Sequence, residues 1–298
     1  MHFYKKTLAV VSCNAKINLS LKVLGKRVDG YHNIDSNIIF SNISDKITIK
    51  KTNKKDSKIK LVITGPFSKE LVNRKNNNLV FKAAKYLLKE FNINDSIEII
   101  LEKNLPVASG IGGGSSNAAA TLKTLPKVLK IENNKKLKLV QNKIARKLGS
   151  DIIACLNSKP AKILETGAKL AKLNVGLKRI IIKNRWLVLV TVNKKISTEK
   201  IFNNLKKIIP LTKIPNKSSL TYSIGINNLK NISEHLVPEI VVAQYFLSKQ
   251  KGIKYFGMSG SGPTCFGIFR KREEAIEATL NILKIRPKWW IKHGQLLS

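Results

Sequence analysis

Acidic residues are scarce in this chain: 18 Asp and Glu stand against 55 Lys and Arg in 298 residues, and only six are aspartates, at 29, 35, 45, 56, 95 and 151. So few carboxylates, with no clustered His or Cys, leave no recognisable metal-ligand motif. Cysteine is equally sparse. Cys13, Cys155 and Cys265 are far apart, with no pairing pattern and no Cys-x-x-Cys, which predicts a reducing compartment and argues against sulfur-bound metal. Nine prolines and 17 glycines are too few for a fibrous or low-complexity protein. No run approaches the roughly 18 apolar residues of a membrane span, and the apolar stretch after Lys5 and Lys6 is too short for a signal peptide. A soluble, cytoplasmic protein is expected. At 43% hydrophobic residues it can bury a core, and its length suits one large domain or two smaller ones.

The net charge of +37 suggests a polyanionic partner, but nucleic-acid-binding proteins concentrate their basic residues. Here residues 1–149 carry 29 basic and 10 acidic side chains, and residues 150–298 carry 26 and 8. The excess is uniform along the chain. Only eight of the basic residues are Arg, the side chain favoured for bidentate phosphate recognition. This favours a solvated lysine-rich surface and no specific nucleic-acid partner.

Hydrophobic patterning predicts strands at 8–11, 17–23, 34–40, 46–49 and 59–63, with the basic stretch 50–58 as a hairpin tip joining the last two. Leu79, Ala83, Leu87 and Phe91 recur at helical spacing, followed by a strand at 97–102, a glycine-rich loop, and helices at 116–129 and 135–148. Strands return over 180–192, and 210–219 reads as a loop. Helices at 233–247 and 273–283 flank a strand at 264–269. No repeat or strict strand-helix-strand rhythm appears, so the fold class is α+β, with two domains joined near residue 158.

The segment Leu105-Pro-Val-Ala-Ser-Gly-Ile-Gly-Gly-Gly-Ser-Ser-Asn-Ala-Ala-Ala120 carries the most chemistry. Four glycines in five positions let backbone approach a ligand, and the following helix aims its unpaired N–H groups at whatever the loop holds. This is a phosphate cradle, although a tight turn with Ser115 or Ser116 as a helix cap is the plainer reading. It is not a Walker A loop, because Gly114 is followed by Ser115 where Gly-Lys-Ser/Thr is required. A dinucleotide fingerprint and a Gly-x-Ser-x-Gly elbow also fail.

The loop resembles the ATP-phosphate loop of the GHMP kinases. Ala15-Lys-Ile-Asn-Leu19 resembles that family's first motif, and Gly257-Met-Ser-Gly-Ser-Gly-Pro-Thr264 its third, in matching order along the chain. A further segment, Leu24-Gly-Lys-Arg-Val-Asp-Gly-Tyr-His32 followed by Asp35-Ser36, resembles the branch that uses ATP to phosphorylate the 2-hydroxyl of a cytidine diphosphate methylerythritol in the non-mevalonate route to isoprenoids. The resemblance implies an N-terminal ATP-binding domain over 1–158, a C-terminal domain over 159–298, and an active site in the cleft between them.

It also implies residue roles. Leu148-Gly-Ser-Asp151 aligns with the segment carrying the family's catalytic aspartate, though from spacing alone Asp151 reads as an N-cap. Lys16 is the motif-one lysine that would keep this aspartate ionised. ATP is assigned to Asn78, Leu79, Lys103, Pro106, Gly110, Gly112, Gly113, Gly114, Ser115 and Ser116. The substrate is assigned to Asn18, Tyr31, His32, Thr198 and Phe202, with Tyr31 and Phe202 as faces of an aromatic sandwich and His32 at the polar edge of the base. A divalent ion, most simply Mg²⁺, is implied by the phosphate charge. Three departures stand out: Asn14 and Ile152-Ile153 where relatives carry proline, and Asn228 where they carry aspartate. The alternatives are another kinase of the same family, of homoserine or mevalonate type, and a basic nucleic-acid-binding protein.

Overall fold

The computed structural model describes residues 8–28, 30, 32–52, 58–71, 76–167, 169–208 and 224–297. The chain divides into two compact units, each discontinuous in sequence. The first comprises 1–14, 44–107 and 113–158, and the second 15–43, 108–112 and 159–298. Two long strands, β1 (Leu8–Lys26) and β2 (His32–Thr52), contribute residues to both units. Each absorbs two strands expected from the sequence, because the polar breaks at 12–16 and 41–45 stay extended within the ladder.

In the first unit the distal part of β2 pairs antiparallel with β4 (Ser96–Glu102), from Lys46 opposite Glu102 to Thr52 opposite Ser96. β3 (Ile59–Thr64) then pairs with β4 in parallel, Ile59 opposite Ile97. The predicted hairpin between 46–49 and 59–63 is therefore replaced by the order β3-β4-β2. The reason is in the side chains: Lys50 and Lys60 both ion-pair with Glu98 of β4, which separates two rows of like charge. A parallel pair needs a long crossover, supplied by α1 (Leu79–Glu90). Ile97, Ile99 and Leu101 on the other face of β4 are buried against the helical layer. That layer is α1, α2 (Gly113–Val128), α3 (Lys135–Leu148) and α4 (Ser150–Asn157), with α1 and α4 both packed on α2.

The second unit contains an antiparallel sheet in the order β8 (Ile253–Met258), β9 (Thr264–Phe269), β7 (Trp186–Thr191), β10 (Trp290–Leu297). The end of β10 continues onto β2 at Leu296 and Ser41. β5 (Ala161–Glu165) pairs with β2 on one side and with β6 (Lys169–Ala171) on the other. The helices are α5 (Val175–Lys183), α6 (Thr198–Ile208), α7 (Lys230–Leu236), α8 (Glu239–Ser248) and α9 (Arg272–Ile285). α8 and α9 cover the sheet, burying Val188, Val190, Cys265 and Phe269 against Ile240, Ala243, Ala278 and Ile282.

Two expectations in this unit are corrected. Residues 180–183 belong to α5, since Leu177 and Ile181 recur at helical spacing and are buried. The single helix over 233–247 is two helices, because Pro238 cannot donate into the preceding turn and starts α8 instead. The loop predicted at 210–219 lies outside the described residues.

Candidate active site

The loop between β4 and α2 is built on left-handed residues at Ala108 (φ +52°), Gly110 (+76°) and Gly112 (+63°). Such steps turn backbone N–H groups into a concavity that suits an anion. At Gly110 glycine is obligatory on two counts. Its φ disfavours any L side chain, and a Cβ there would overlap the Ser259 carbonyl and stand 2.8 Å from the Gly262 carbonyl. The second glycine-rich loop, 257–263, thus packs backbone to backbone on the first. Gly260 returns the contact, since its own Cβ would lie 2.8 Å from the Gly110 oxygen.

Hydrogen bonds fix this interlock. The Ser259 hydroxyl donates to the Gly110 carbonyl at 2.9 Å and accepts from the Asn18 N–H at 3.1 Å. Thr264 N–H donates to the Ser109 carbonyl, and Lys16 N–H to the Ile111 carbonyl at 3.0 Å. Lys16 is buried, and its stem runs beside Gly112, where an added Cβ would meet Lys16 Cβ and Cε at 3.2 Å. Motif one and both glycine loops therefore meet at Lys16, Asn18, Gly110, Gly112 and Ser259. Asn18 donates its amide to the Ser36 hydroxyl at 2.7 Å, while its Oδ1 is buried with no hydrogen-bond partner among the described residues. A buried acceptor left this way is costly unless a ligand donor reaches it.

The remaining predicted nucleotide residues lie in the first unit. Gly113, Gly114, Ser115 and Ser116 form the first turn of α2, whose N–H groups lack intrahelical partners. A Cβ on Gly114 would meet Leu79 Cδ1 at 3.6 Å, so Leu79 stands beside this turn. Asn78 caps α1, accepting from Val80 N–H at 2.9 Å. Pro106 is buried at the start of the loop. Lys103 is buried under Gly113, its ammonium bonded to Asp45 Oδ2 at 2.7 Å and the Leu105 carbonyl at 2.6 Å. Burial pulls its pKa down and Asp45 opposes that. The lysine is committed to holding the loop base. Asp151 is half-buried in the first turn of α4; the N-cap of that helix is Gly149, so capping is not the role of Asp151.

On the predicted substrate side, the rings of His32 and Phe202 are in direct contact, with centroids 4.9 Å apart and planes tilted by 34°. Thr198, opening α6, shares a 3.0 Å hydrogen bond with Ser261 of the second glycine loop. Tyr31 lies outside the described residues.

Sequence reasoning missed three residues that shape this site. Asp45, which precedes the strand expected at 46–49, is fully buried and accepts from Lys103 and from the N–H groups of Asn104 and Leu105 at 2.7 Å. Asn227 donates to the Met258 and Gly260 carbonyls, pinning the second glycine loop. Ser36 bridges Asn18 and the Ser20 carbonyl. The signal for Ser36 was its place in the Asp35-Ser36 pair, and for Asn227 its place in Asn227-Asn228-Leu229, which resembles a family segment; Asp45 carried none. Asn228, the departure from the family aspartate, accepts from Val23 N–H at 2.8 Å, a bond that needs an acceptor oxygen and no charge.

The GHMP kinases N terminal domain matches residues 78–159 and the GHMP kinases C terminal domain matches residues 220–285. A 4-diphosphocytidyl-2-C-methyl-D-erythritol kinase from Parvibaculum lavamentivorans is 35% identical over 292 residues, covering 94% of this chain and 96% of the relative. The chain belongs to the GHMP kinase family. The like-named enzyme from the Wolbachia of Brugia malayi is 34% identical, with 96% and 98% covered. A solved 4-(cytidine 5'-diphospho)-2C-methyl-D-erythritol kinase superposes with a TM-score of 0.75 at 23% identity, covering 97% of this GHMP kinase and all of that chain. Homoserine kinase from Cytophaga hutchinsonii gives 0.69 at 17% identity, covering 100% and 99%. These structural likenesses establish the shared GHMP kinase fold. No helix among the described residues is long and apolar enough to cross a membrane.

Proposed function

We propose that this GHMP kinase transfers the γ-phosphoryl group of ATP to the 2-hydroxyl of 4-(cytidine 5'-diphospho)-2-C-methyl-D-erythritol, in the cytoplasm, as a step toward isoprenoid precursors. The observation that carries this is the near-full-length identity of about a third to kinases of that name, joined to the segment from Leu24 to His32. In the reaction the hydroxyl oxygen bonds to the γ-phosphorus, the bond from that phosphorus to the β,γ-bridging oxygen breaks, and the hydroxyl proton passes to Asp151. The charge of Lys16 offsets charge on the transferring group. The left-handed loop and the first turn of α2 supply N–H donors for the ATP phosphates, from Gly110 through Ser116. Asn78 and Leu79 flank the nucleoside, and Lys103 supports the loop from beneath.

Asn18, Thr198, His32 and Phe202 are assigned to the substrate; the orphaned Asn18 Oδ1 supports the first of these. Among the described residues no group of three or more His, Cys, Asp or Glu suits a metal; Mg²⁺ arriving with the nucleotide would offset phosphate charge. Residues 1–158 are assigned to ATP and 159–298 to the C-terminal domain. The test is ADP release by the purified chain. Turnover that requires the diphosphocytidyl substrate is expected; equal turnover with homoserine or mevalonate would overturn the assignment.

A further inference from the structure

The positive charge is uniform along the sequence, but arginine is not uniform in the fold. Of eight arginines, Arg179, Arg185, Arg270 and Arg272 gather at one end of the β7/β9 ladder. Trp186 pairs with Phe269, so Arg185, just before β7, and Arg270, just after β9, leave the sheet together. Arg272 opens α9 and sits over the Trp186 ring at 5.8 Å, and Arg179 lies on α5, which leads into β7.

Beside this end is a cavity of about 450 Å³ whose polar lining is Arg179, Lys183, Asn184, Lys254, Tyr255 and Arg270. No carboxylate lines it, and none of its four cations makes an ion pair among the described residues. Arg179 and Lys183 are spaced four apart on α5, where like charges repel. Lys183 gains from the helix C-terminus, but Arg179 has no such compensation. Two guanidinium forks and two ammonium groups around one concavity match a compact anion of several charges. Guanidinium pairs bidentately with phosphate oxygens, and the cavity has the size of a small-molecule site. Tyr255 adds a ring and a hydroxyl to its wall.

We propose that this cavity is a second ligand site, distinct from the glycine loops, that binds a diphosphate- or triphosphate-bearing small molecule. An oligophosphate is favoured over a nucleic acid strand because the four cations surround a single concavity. The site is independent of the catalytic assignment.

The test is calorimetric titration of the full chain with pyrophosphate at physiological salt, comparing the unaltered protein with Arg179→Ala/Arg270→Ala and with Lys135→Ala/Lys138→Ala. The second pair removes two exposed charges from α3 and controls for diffuse attraction. Because pyrophosphate also suits the glycine loop, the readout is the component lost with the arginines. That component should weaken tenfold or more in the arginine variant and not in the lysine variant, with melting temperature and basal turnover unchanged. Tighter binding of ADP to the same component would identify a nucleotide, and a preference for pyrophosphate a free oligophosphate. Equal affinity in all three proteins, or equal loss in both variants, would overturn the proposal. So would tighter, arginine-dependent binding of a ten-residue oligoribonucleotide, which would make the surface a nucleic-acid site.

Discussion

The Ser259 hydroxyl donates to the Gly110 carbonyl at 2.9 Å across 149 residues of sequence, and the same oxygen accepts from Asn18 N–H at 3.1 Å. One hydroxyl therefore ties motif one to both glycine loops. Ser259→Ala leaves a buried N–H and a carbonyl without this partner, at a cost of about 1–3 kcal/mol. Urea unfolding should show that loss, and ADP release should fall with it; an unchanged midpoint would mean that the loops are held by backbone contacts alone.

Substitution of Gly110 and Gly114 should separate two kinds of glycine in one motif. Gly110→Ala meets both a left-handed φ and a backbone overlap, so a loss of more than about 1–2 kcal/mol and of most turnover is expected. Gly114→Ala meets only Leu79 at an ordinary 3.6 Å, inside a helix. Its thermal stability should be unchanged or raised by up to about 1 kcal/mol, as alanine is the better helix former. Melting curves of the two variants decide this.

Asp151→Asn should lower turnover by about 10²-fold or more, the range for a positioned base and its charge. Because the N-cap of α4 is Gly149 and not Asp151, the fold should stay intact. Circular dichroism and ADP release together check both halves. Near-normal turnover would remove Asp151 from the mechanism.

Hydrogen bonds from Lys50 and Lys60, and their charge, hold the Glu98 carboxyl down at about 2 against an ordinary 4.5. A carboxyl whose folded pKa is depressed stabilises the fold above the unfolded pKa. That stabilisation should therefore be complete above about pH 5 and lost as pH falls from about 4.5 toward 2. Urea midpoints of the unaltered protein and Glu98→Gln should differ at pH 7 and converge near pH 2. A constant gap across that range would show that Glu98 contributes by packing and not by charge.

The site was legible where chemistry depends on local sequence. Glycine at 110 and 112 announces left-handed backbone, and the helix starts at 79 and 135 follow from Asn78 and Asn134, whose side chains cap them. Asp45 was not legible, because a lone aspartate before a strand looks like a turn residue. Only pairing of β2 with β4 brings it against Lys103, 58 residues away. Tyr31 lies outside the described residues, and the contact of His32 with Phe202 depends on α6 reaching β2.

By itself the sequence determined the motifs, their order, the helix periods and the even supply of lysine, all of which are properties of neighbours along the chain. The tertiary structure decided which strand stands beside which, placing Glu98 between two lysine rows where a hairpin was expected. It also decided where scarce arginines converge. Strand order and charge clustering depend on contacts between residues remote in sequence, whose free energy no local pattern encodes.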